Sequence, residues 1–263
     1  MSSGHNWLAA RGFTNYKIEH KFGRDESVDT TFKPVCIGGV WPTPTTSNAT
    51  PLRIKAGGNA NDTAAGSGAR EITVIYLDTN LAVQTETLAT AGASASSYTS
   101  GNVFRLLRAY VSASGTYASA SGGFSHSASI TLESSSEDWA TIDATDIARA
   151  QSQIACYTVP ATDGDGDTIK EVYILGYVIS SDSNKQTDFI MYQRANAHTE
   201  TSAPYTAART IREHDVASEV NFIEAEVPIG PFLPGTDLGW MAKGSGTPQA
   251  IVDMEILLVK EPT

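Results

Sequence analysis

Residues 169–180 read IKEVYILGYVIS, a long run that is almost wholly apolar on one face. It is rich in β-branched and aromatic residues, which is typical of a β-strand. The polar turn Ser-Asp-Ser-Asn follows, and residues 187–194 (TDFIMYQR) then resume the pattern. These two runs predict two successive strands of an antiparallel β protein.

The same pattern recurs along the chain between clusters of Gly, Pro, Asn and Ser. The further predicted strands are residues 70–76, 82–88, 102–111, 127–133, 153–159, 205–212, 219–228 and 250–259. Their spacing predicts an all-β protein of two antiparallel β-sandwich domains, the C-terminal one a jelly roll. The three prolines of residues 227–235 predict a stiff extended loop instead of a strand, because proline cannot donate a hydrogen bond to a sheet.

The chain divides into three predicted parts. These are an N-terminal arm over residues 1–35, an N-terminal β domain over residues 36–145 and the jelly roll over residues 146–263. The boundary lies in residues 142–154, where an acidic start and a later arginine give the one hint of a helix. Residues 1–35 mix aromatic side chains with charges without a clear period. They are predicted either to order against a partner or to form a strand of their own domain, and both alternatives stay open.

Charge and composition exclude several functions. The chain has 263 residues, of which 18% are charged, and its 18 Lys and Arg against 29 Asp and Glu give a net charge of −11. Affinity for nucleic acid and for anionic membranes comes from Lys and Arg, so we expect neither partner. No apolar run approaches the ~18 residues of a membrane span, and the N-terminus predicts no secretory signal. Cys36 and Cys156 lack a metal-binding spacing and are expected to be buried thiols.

The motif with metal-binding character is TDGDGDT at residues 162–168, which alternates carboxylates with glycines. Asp163, Asp165 and Asp167 would suit calcium, since hard oxygen ligands and a sharp turn are what that ion needs. The twelfth position counted from Asp163 is Ile174, however, where the EF-hand pattern has a glutamate. A solvated acidic turn between two strands is the alternative.

Other candidate chemistry is weak. Five histidines are scattered at spacings that predict no metal cluster: His5, His20, His126, His198 and His214. Residues 123–127 (GFSHS) lack the second glycine of a nucleophile elbow. The sequence therefore predicts no catalytic residue, no cofactor-binding residue and no metal ligand, which favours a structural or binding protein over an enzyme.

Residues 58–80 read GNANDTAAGSGAREITVIYLDTN, and the strand QTETL follows at residues 84–88. This run resembles a segment of tailed-bacteriophage virion proteins, in which Asn-Asp-x-Ala-Ala-Gly-Thr-Gly-Ala-Arg precedes a strand, Leu-Asp and a second strand. The turn Ala-Thr-Ala-Gly after residue 88 departs from the family's Leu-Asn-Gly. Further similar segments are residues 22–24, 37–41, 104–110 and 156–160, and the C-terminal part resembles the family's jelly-roll half. The likeness spans most of the chain, and residues 59–80 are its specific part.

The resemblance implies a non-enzymatic virion structural protein of the capsid cement or decoration type, which would stabilise the head by bridging capsomers. The implied partner is the major capsid protein, and the implied location is the head surface of the virion, after synthesis in the host cytoplasm. Capsid symmetry favours a homo-oligomer, with a trimer first. Two alternatives stay open, namely a tail or fibre component that binds a host-surface glycan and a β-sandwich hydrolase.

Overall fold

The computed structural model describes residue 12 and residues 15–116, 125–144, 150–181, 185–199, 208–217 and 220–261; within residues 217–227 the backbone alone is described. The strands are β1 (Tyr16–Asp25), β2 (Lys33–Pro34), β3 (Arg53–Ile54), β4 (Ala69–Leu77), β5 (Val83–Ala89), β6 (Arg105–Ser114), β7 (Ile130–Glu133), β8 (Asp138–Ile142), β9 (Cys156–Thr158), β10 (Ile169–Ser181), β11 (Gln186–Arg194), β12 (Arg209–Ala217), β13 (Val220–Phe232), β14 (Asp237–Gly244) and β15 (Ala250–Lys260). Two short 3₁₀ turns, Ile37–Gly39 and Thr46–Asn48, accompany them. All pairs of these strands are antiparallel, which confirms the predicted all-β sandwich fold. No helix in these ranges is long and apolar enough to span a membrane.

Eight of the strands form a jelly roll. Its first sheet has the order β1-β15-β10-β13, and its second sheet has the order β12-β11-β14-β2, with β9 also paired to β14. Numbered one to eight along the chain, the eight strands stand in the orders 1-8-3-6 and 5-4-7-2. Two four-stranded sheets interleaved in this way are the double Greek key of a jelly roll.

The jelly roll begins nearer the N-terminus than predicted. β1 pairs with β15 over its whole length, from Tyr16 opposite Val259 to Asp25 opposite Ala250. Of the two alternatives for the N-terminal residues, residues 16–25 therefore form a strand, and that strand belongs to the jelly roll. The predicted arm over residues 1–35 and the predicted jelly roll over residues 146–263 differ from this arrangement.

Apolar alternation does not identify β1, because the residues at its inward positions are polar or small. The more buried members of the strand are Lys21, Gly23 and Asp25, whereas Tyr16 and Ile18 on the other face are about two-fifths exposed. A period of two is present, but it does not separate apolar from polar residues. Its pairing with β15 in the folded protein, and not its own pattern, identifies β1 as a strand.

The chain between β2 and β10 is inserted into the jelly roll and forms two further sheets, β3-β7-β8 and β5-β4-β6. Their facing side chains, among them Ile72, Leu132 and Trp139, enclose a second core. Tyr192 of β11 and Met241 of β14 join this core from the outer face of the second jelly-roll sheet. The inserted sheets therefore pack on that face.

The main core lies between the two jelly-roll sheets. Alternate residues of β15 face Phe189 of β11 and Trp240 of β14, and Leu107 of β6 joins them from the inserted part. The β15 residues are Val252, Met254, Ile256 and Leu258. Each buried side chain of this size contributes roughly 1.5–3 kcal/mol. Since both cores contain residues of both parts, the inserted sheets and the jelly roll share buried surface.

Three segments differ from prediction near the C-terminus. β12 (Arg209–Ala217) extends beyond the predicted end of its strand at residue 212. β13 continues through Pro228 and Pro231 to Phe232, where a loop was predicted. β13 stands last in the order of its sheet, and its pairing with β10 contains register shifts, so its prolines need not donate to a neighbour. β14 was not predicted, because Gly239 and Gly244 interrupt its pattern. Of the helical hint in residues 142–154, residues 145–149 lie outside the described residues, and the described residues 142–144 and 150–154 contain no helix.

Candidate functional site

The segment that carries the family resemblance folds around the carboxylate of Asp62. Asp62 Oδ1 accepts hydrogen bonds from the backbone N–H groups of Ala69 at 2.8 Å and Ser127 at 2.9 Å, and its Oδ2 accepts one from Ala128 at 3.1 Å. The residue is only 4% exposed. One charged acceptor thus ties the loop over residues 57–68 to the start of β4 and to the chain before β7.

The glycines of this loop are required by close backbone contacts. A Cβ on Gly68 would lie 2.0 Å from Asp62 Oδ1, and a Cβ on Gly66 would lie 2.0 Å from the carbonyl oxygen of Asn61. The Gly68 N–H donates to that same carbonyl at 2.9 Å, and the Gly66 carbonyl accepts a 2.8 Å hydrogen bond from Arg70 Nε. The Asn-Asp and Gly-x-Gly-Ala-Arg parts of the motif therefore hold one loop together. We call residues 57–68 the Asp62 loop.

Two segments rich in Gly, Ala and Ser meet here. The N–H of Gly92 donates to the Asp62 carbonyl at 2.7 Å, and the N–H of Gly57 donates to the Ala93 carbonyl at 2.9 Å. These bonds place the start of residues 91–101 beside the Asp62 loop, and the N–H groups of Ser96 and Thr99 then donate to the carbonyls of Ile54 and Leu52. Part of the third such segment, residues 117–124, lies outside the described residues.

A buried ion network joins the inserted sheets to the jelly roll. Asp237, at the start of β14, is fully buried and accepts hydrogen bonds from Arg105 Nε and Nη2, both at 3.1 Å. Arg194 Nη2, at the end of β11, donates to it at 2.5 Å, as does Thr158 Oγ1. A buried carboxylate between two guanidinium groups fixes the relative position of β6, β11 and β14.

The guanidinium of Arg105 is occupied by the protein itself. Its Nη1 donates to the carbonyls of Pro44 at 2.7 Å and Phe104 at 2.9 Å, and it lies 3.9 Å from the centre of the Phe104 ring. Burial lowers the pKa of Arg105, while the charge of Asp237 acts in the opposite direction. These contacts indicate a structural joint. The sequence feature that could have indicated this joint is Arg105, a charged residue in the largely apolar run of residues 104–110.

The acidic loop at residues 162–168 pairs with a lysine. Asp163 Oδ1 accepts the backbone N–H groups of Asp165 and Asp167 at 3.0 and 2.9 Å. Lys260 Nζ lies 2.8 Å from Asp163 Oδ2 and 2.7 Å from Asp167 Oδ2. Burial raises the pKa of Asp163, but the hydrogen bonds from Lys260 and the backbone outweigh it and lower the pKa overall. Within the described ranges no three His, Cys, Asp or Glu side chains converge as a metal site. Lys260 supplies the nearest positive charge at this loop, and Lys17 Nζ lies 4.0 Å from Asp165 Oδ2.

The serine and histidine of residues 125–126 do contact each other. Ser125 Oγ lies 2.9 Å from His126 Nδ1, and His126 Nε2 lies 3.0 Å from the backbone carbonyl oxygen of Asp143. The Asp143 carboxylate accepts a hydrogen bond from Ser129 instead. These residues therefore do not form a Ser-His-Asp triad.

The other histidines and the cysteines occupy separate places. His20 lies on the exposed face of β1, and His214 Nε2 lies 2.8 Å from the Tyr177 hydroxyl, where burial lowers its pKa. His5 lies outside the described residues. Both thiols are free and buried, as predicted. Burial raises the pKa of Cys156 to about 12, so this thiol is inert at neutral pH.

A cleft that is lined by a buried lysine and by aliphatic side chains lies between β1 and the β5-β4-β6 sheet. It has a volume of about 280 Å³ and is lined by Glu19, His20, Lys21, Ile75, Val83, Leu107, Arg108 and Tyr157. Lys21 is 4% exposed, and its Nζ donates to the carbonyl of Leu107. Burial, with a smaller effect of the Arg108 charge, lowers the pKa of Lys21 to about 7. Lys21 was not a predicted site residue, because only the pairing of β1 shows that this lysine faces inward.

Comparisons with known proteins add little to these observations. No protein-family model matches the chain, and no curated protein is significantly similar to it. Among solved structures, the chain is similar to a chain of the infectious bursal disease virus Gt strain structure at 10% identity, over 95% of this chain and 78% of that chain, with a TM-score of 0.18. A TM-score this low carries no argument about fold or function.

Proposed function

We propose that this protein is a non-enzymatic structural protein of a tailed-bacteriophage virion, of the capsid cement or decoration type, that stabilises the head by bridging capsomers. The observation that carries the proposal is the Asp62 loop. The residues that resemble the virion proteins are the ones that determine the conformation of this loop. The carboxylate of Asp62 accepts its backbone hydrogen bonds, and Gly66 and Gly68 allow the close backbone contacts because glycine has no Cβ. A resemblance that maps onto one interlocking set of contacts supports a shared local architecture.

The way the layers are joined suits a protein that bridges other subunits. A protein that covers a seam between subunits must stay folded when the subunits bound to its contact surfaces pull on it. It needs a broad contact area more than it needs a pocket. Here the inserted sheets and the jelly roll share two cores, and Asp237 with Arg105 and Arg194 joins them across the interface. Removing one member of such a network typically costs about 3–5 kcal/mol.

The Asp62 loop and residues 91–101 offer the surface best suited to a neighbouring subunit. Both segments are rich in Gly, Ala and Ser and carry few charges. Small side chains let another backbone approach closely, and contact there buries little charge. The proposal therefore places the capsid contact on these two segments and includes a homo-oligomer, with a trimer favoured, to match the local symmetry of a capsid lattice.

The proposal is tested by adding the purified protein to heads assembled without it. We expect saturable co-sedimentation with the heads and greater resistance of the decorated heads to heat. Ala65→Arg, on the exposed surface of the Asp62 loop, should weaken binding at least about tenfold, since it places a bulky charge in a packed contact. Lys170→Glu, on an exposed position of β10, is the matched control and should bind as the unmodified protein does.

The other outcomes separate the alternatives. Binding to purified tails or to host-surface polysaccharide, without binding to heads, would replace the proposal with the tail or fibre component. Turnover of an ester or polysaccharide substrate would instead support a β-sandwich hydrolase.

A further inference from the structure

We propose that the cleft around Lys21 is a binding site for a small organic anion of the short-chain aliphatic carboxylate class. We name it the Lys21 cleft, with the lining residues given above. This proposal does not rest on the proposed virion function.

The buried ammonium group of Lys21 has unused hydrogen-bonding capacity. A lysine carries three N–H donors, and the described residues give it one acceptor, the carbonyl oxygen of Leu107. The ring of Tyr157 lies 6.0 Å away and adds only a weak attraction. A desolvated cation with free donors is unfavourable, and a carboxylate would satisfy them with charge-assisted hydrogen bonds.

The charges around the cleft favour an anion. Arg108 adds a second positive charge, and its Nη2 donates to the carbonyl of His20 at 2.7 Å, which holds the side chain against β1. Glu19 is the one carboxylate of the lining, and it is engaged by Lys17 at 3.4 Å and by the Tyr157 hydroxyl at 3.4 Å. Lys21 and Arg108 against Glu19 leave one positive charge, in a chain whose net charge is −11.

The remaining walls specify an apolar body for the ligand. Ile75 of β4, Val83 of β5 and Leu107 of β6 line the cleft with aliphatic groups. Its volume of about 280 Å³ is at the lower end of the roughly 300–1,000 Å³ that is usual for ligand sites. Inorganic phosphate would leave the aliphatic walls without contacts, and a long fatty acid would exceed the space. A short aliphatic carboxylate such as butyrate matches both the charge and the size.

Binding should be linked to the protonation of Lys21. The groups that face its amine are Glu19 on β1, Arg108 on β6, and Cys156 and Tyr157 on β9, whereas His20 borders the cleft from the opposite, exposed face of β1. Burial raises the pKa of Cys156 to about 12 and that of Tyr157 well above its usual value, so neither titrates near neutrality. A carboxylate prefers the charged amine, whose pKa is lowered to about 7. Affinity should therefore fall by up to about tenfold per pH unit above that value.

The test is isothermal titration of the full chain with sodium butyrate, at about pH 6 and about pH 9, on either side of the Lys21 pKa. We expect saturable binding in the millimolar range at the lower pH, and binding at least about tenfold weaker at the higher pH. Butyramide has the same shape without the charge and should bind at least about tenfold more weakly than butyrate. Equal binding of the two compounds, or no saturable binding of butyrate, would overturn the proposal.

Two variants locate the site. Lys21→Met should abolish butyrate binding, whereas Lys170→Met, at an exposed position of β10, should leave it unchanged. Far-ultraviolet circular dichroism verifies that each variant is folded. Val83→Trp narrows the cleft from β5 and keeps Lys21, so it should also abolish binding, and it decides the question should Lys21→Met fail to fold. Binding that survives Val83→Trp or a folded Lys21→Met would contradict the assignment.

Discussion

The carboxylate of Asp62 is the acceptor for the backbone N–H groups of Ala69, Ser127 and Ala128. Asp62→Ala would remove that acceptor, and an unsatisfied buried donor costs about 1–3 kcal/mol. We expect the free energy of unfolding, measured by urea denaturation, to fall by about 3 kcal/mol. Asp138→Ala is the control, because Asp138 is exposed and pairs with Lys55 at the surface; its effect should stay below about 1 kcal/mol. Equal losses in the two variants would contradict the role given to Asp62.

Lys21 makes stability depend on pH in a direction that can be predicted. Its pKa is lowered from 10.5 to about 7 in the folded protein. Between these values the unfolded chain binds a proton that the folded chain does not, so the contribution of Lys21 to stability rises with pH over this window and is least favourable below it. Lys21→Met should therefore be more stable than the unmodified protein by about 2–3 kcal/mol at about pH 6, and this advantage should shrink towards pH 10. Urea denaturation at both pH values measures it, and an advantage that does not change with pH would refute the buried charge.

At the scale of elements, the sequence predicted the strands that have an apolar inward face. β10, β11 and β15 lie within one residue of their predicted bounds, because alternation alone separates their two faces. For β1 the sequence left a strand and an arm open, because its buried face carries Lys21, whose acceptor is the Leu107 carbonyl of β6, far away in sequence. No local pattern contains that partner. β14 was missed for a different reason, because Gly239 and Gly244 interrupt its pattern.

A site could be predicted from the sequence where its residues are local, and it could not be predicted where a partner lies far away in the chain. The turn at residues 162–168 was predicted from its own residues, but its cation, Lys260, comes from the far end of β15. The motif at residues 59–80 was recognised as a unit, yet the sequence did not show that Asp62 bonds to Ser127 and Ala128. The composition predicted buried thiols correctly, since small apolar side chains in apolar runs need no distant partner.

The position of β1 in the jelly roll is tested at Gly23. A Cβ there would lie 2.2 Å from the Val35 carbonyl oxygen and 2.3 Å from the Ala155 nitrogen. Both are backbone atoms, which cannot rotate away as the end of a side chain can. Gly23→Ala should therefore lower the free energy of unfolding by at least about 2 kcal/mol in thermal or urea denaturation. Gly164→Ala is the control, because its Cβ would come no closer than 3.8 Å to Val83 and should be tolerated. A neutral Gly23→Ala would show that β1 does not pack here.

At the scale of the whole molecule, net charge governs self-association. With −11 per chain, copies repel one another at low ionic strength. The screening length falls from about 30 Å at 0.01 M salt to about 8 Å at 0.15 M, so association into the proposed trimer should tighten over that range. Light scattering at several protein concentrations measures this. A strict monomer at every salt and protein concentration, or association that weakens over this salt range, would contradict the proposed oligomer.

The proposed place of this protein in a virion is tested most directly by electron cryomicroscopy of intact particles that carry it. The account predicts density for the jelly roll and its inserted sheets on the head surface, over the seams between capsomers, in copies that follow the local three-fold symmetry. Density confined to a tail tip or to a single vertex, or particles without the chain, would contradict it.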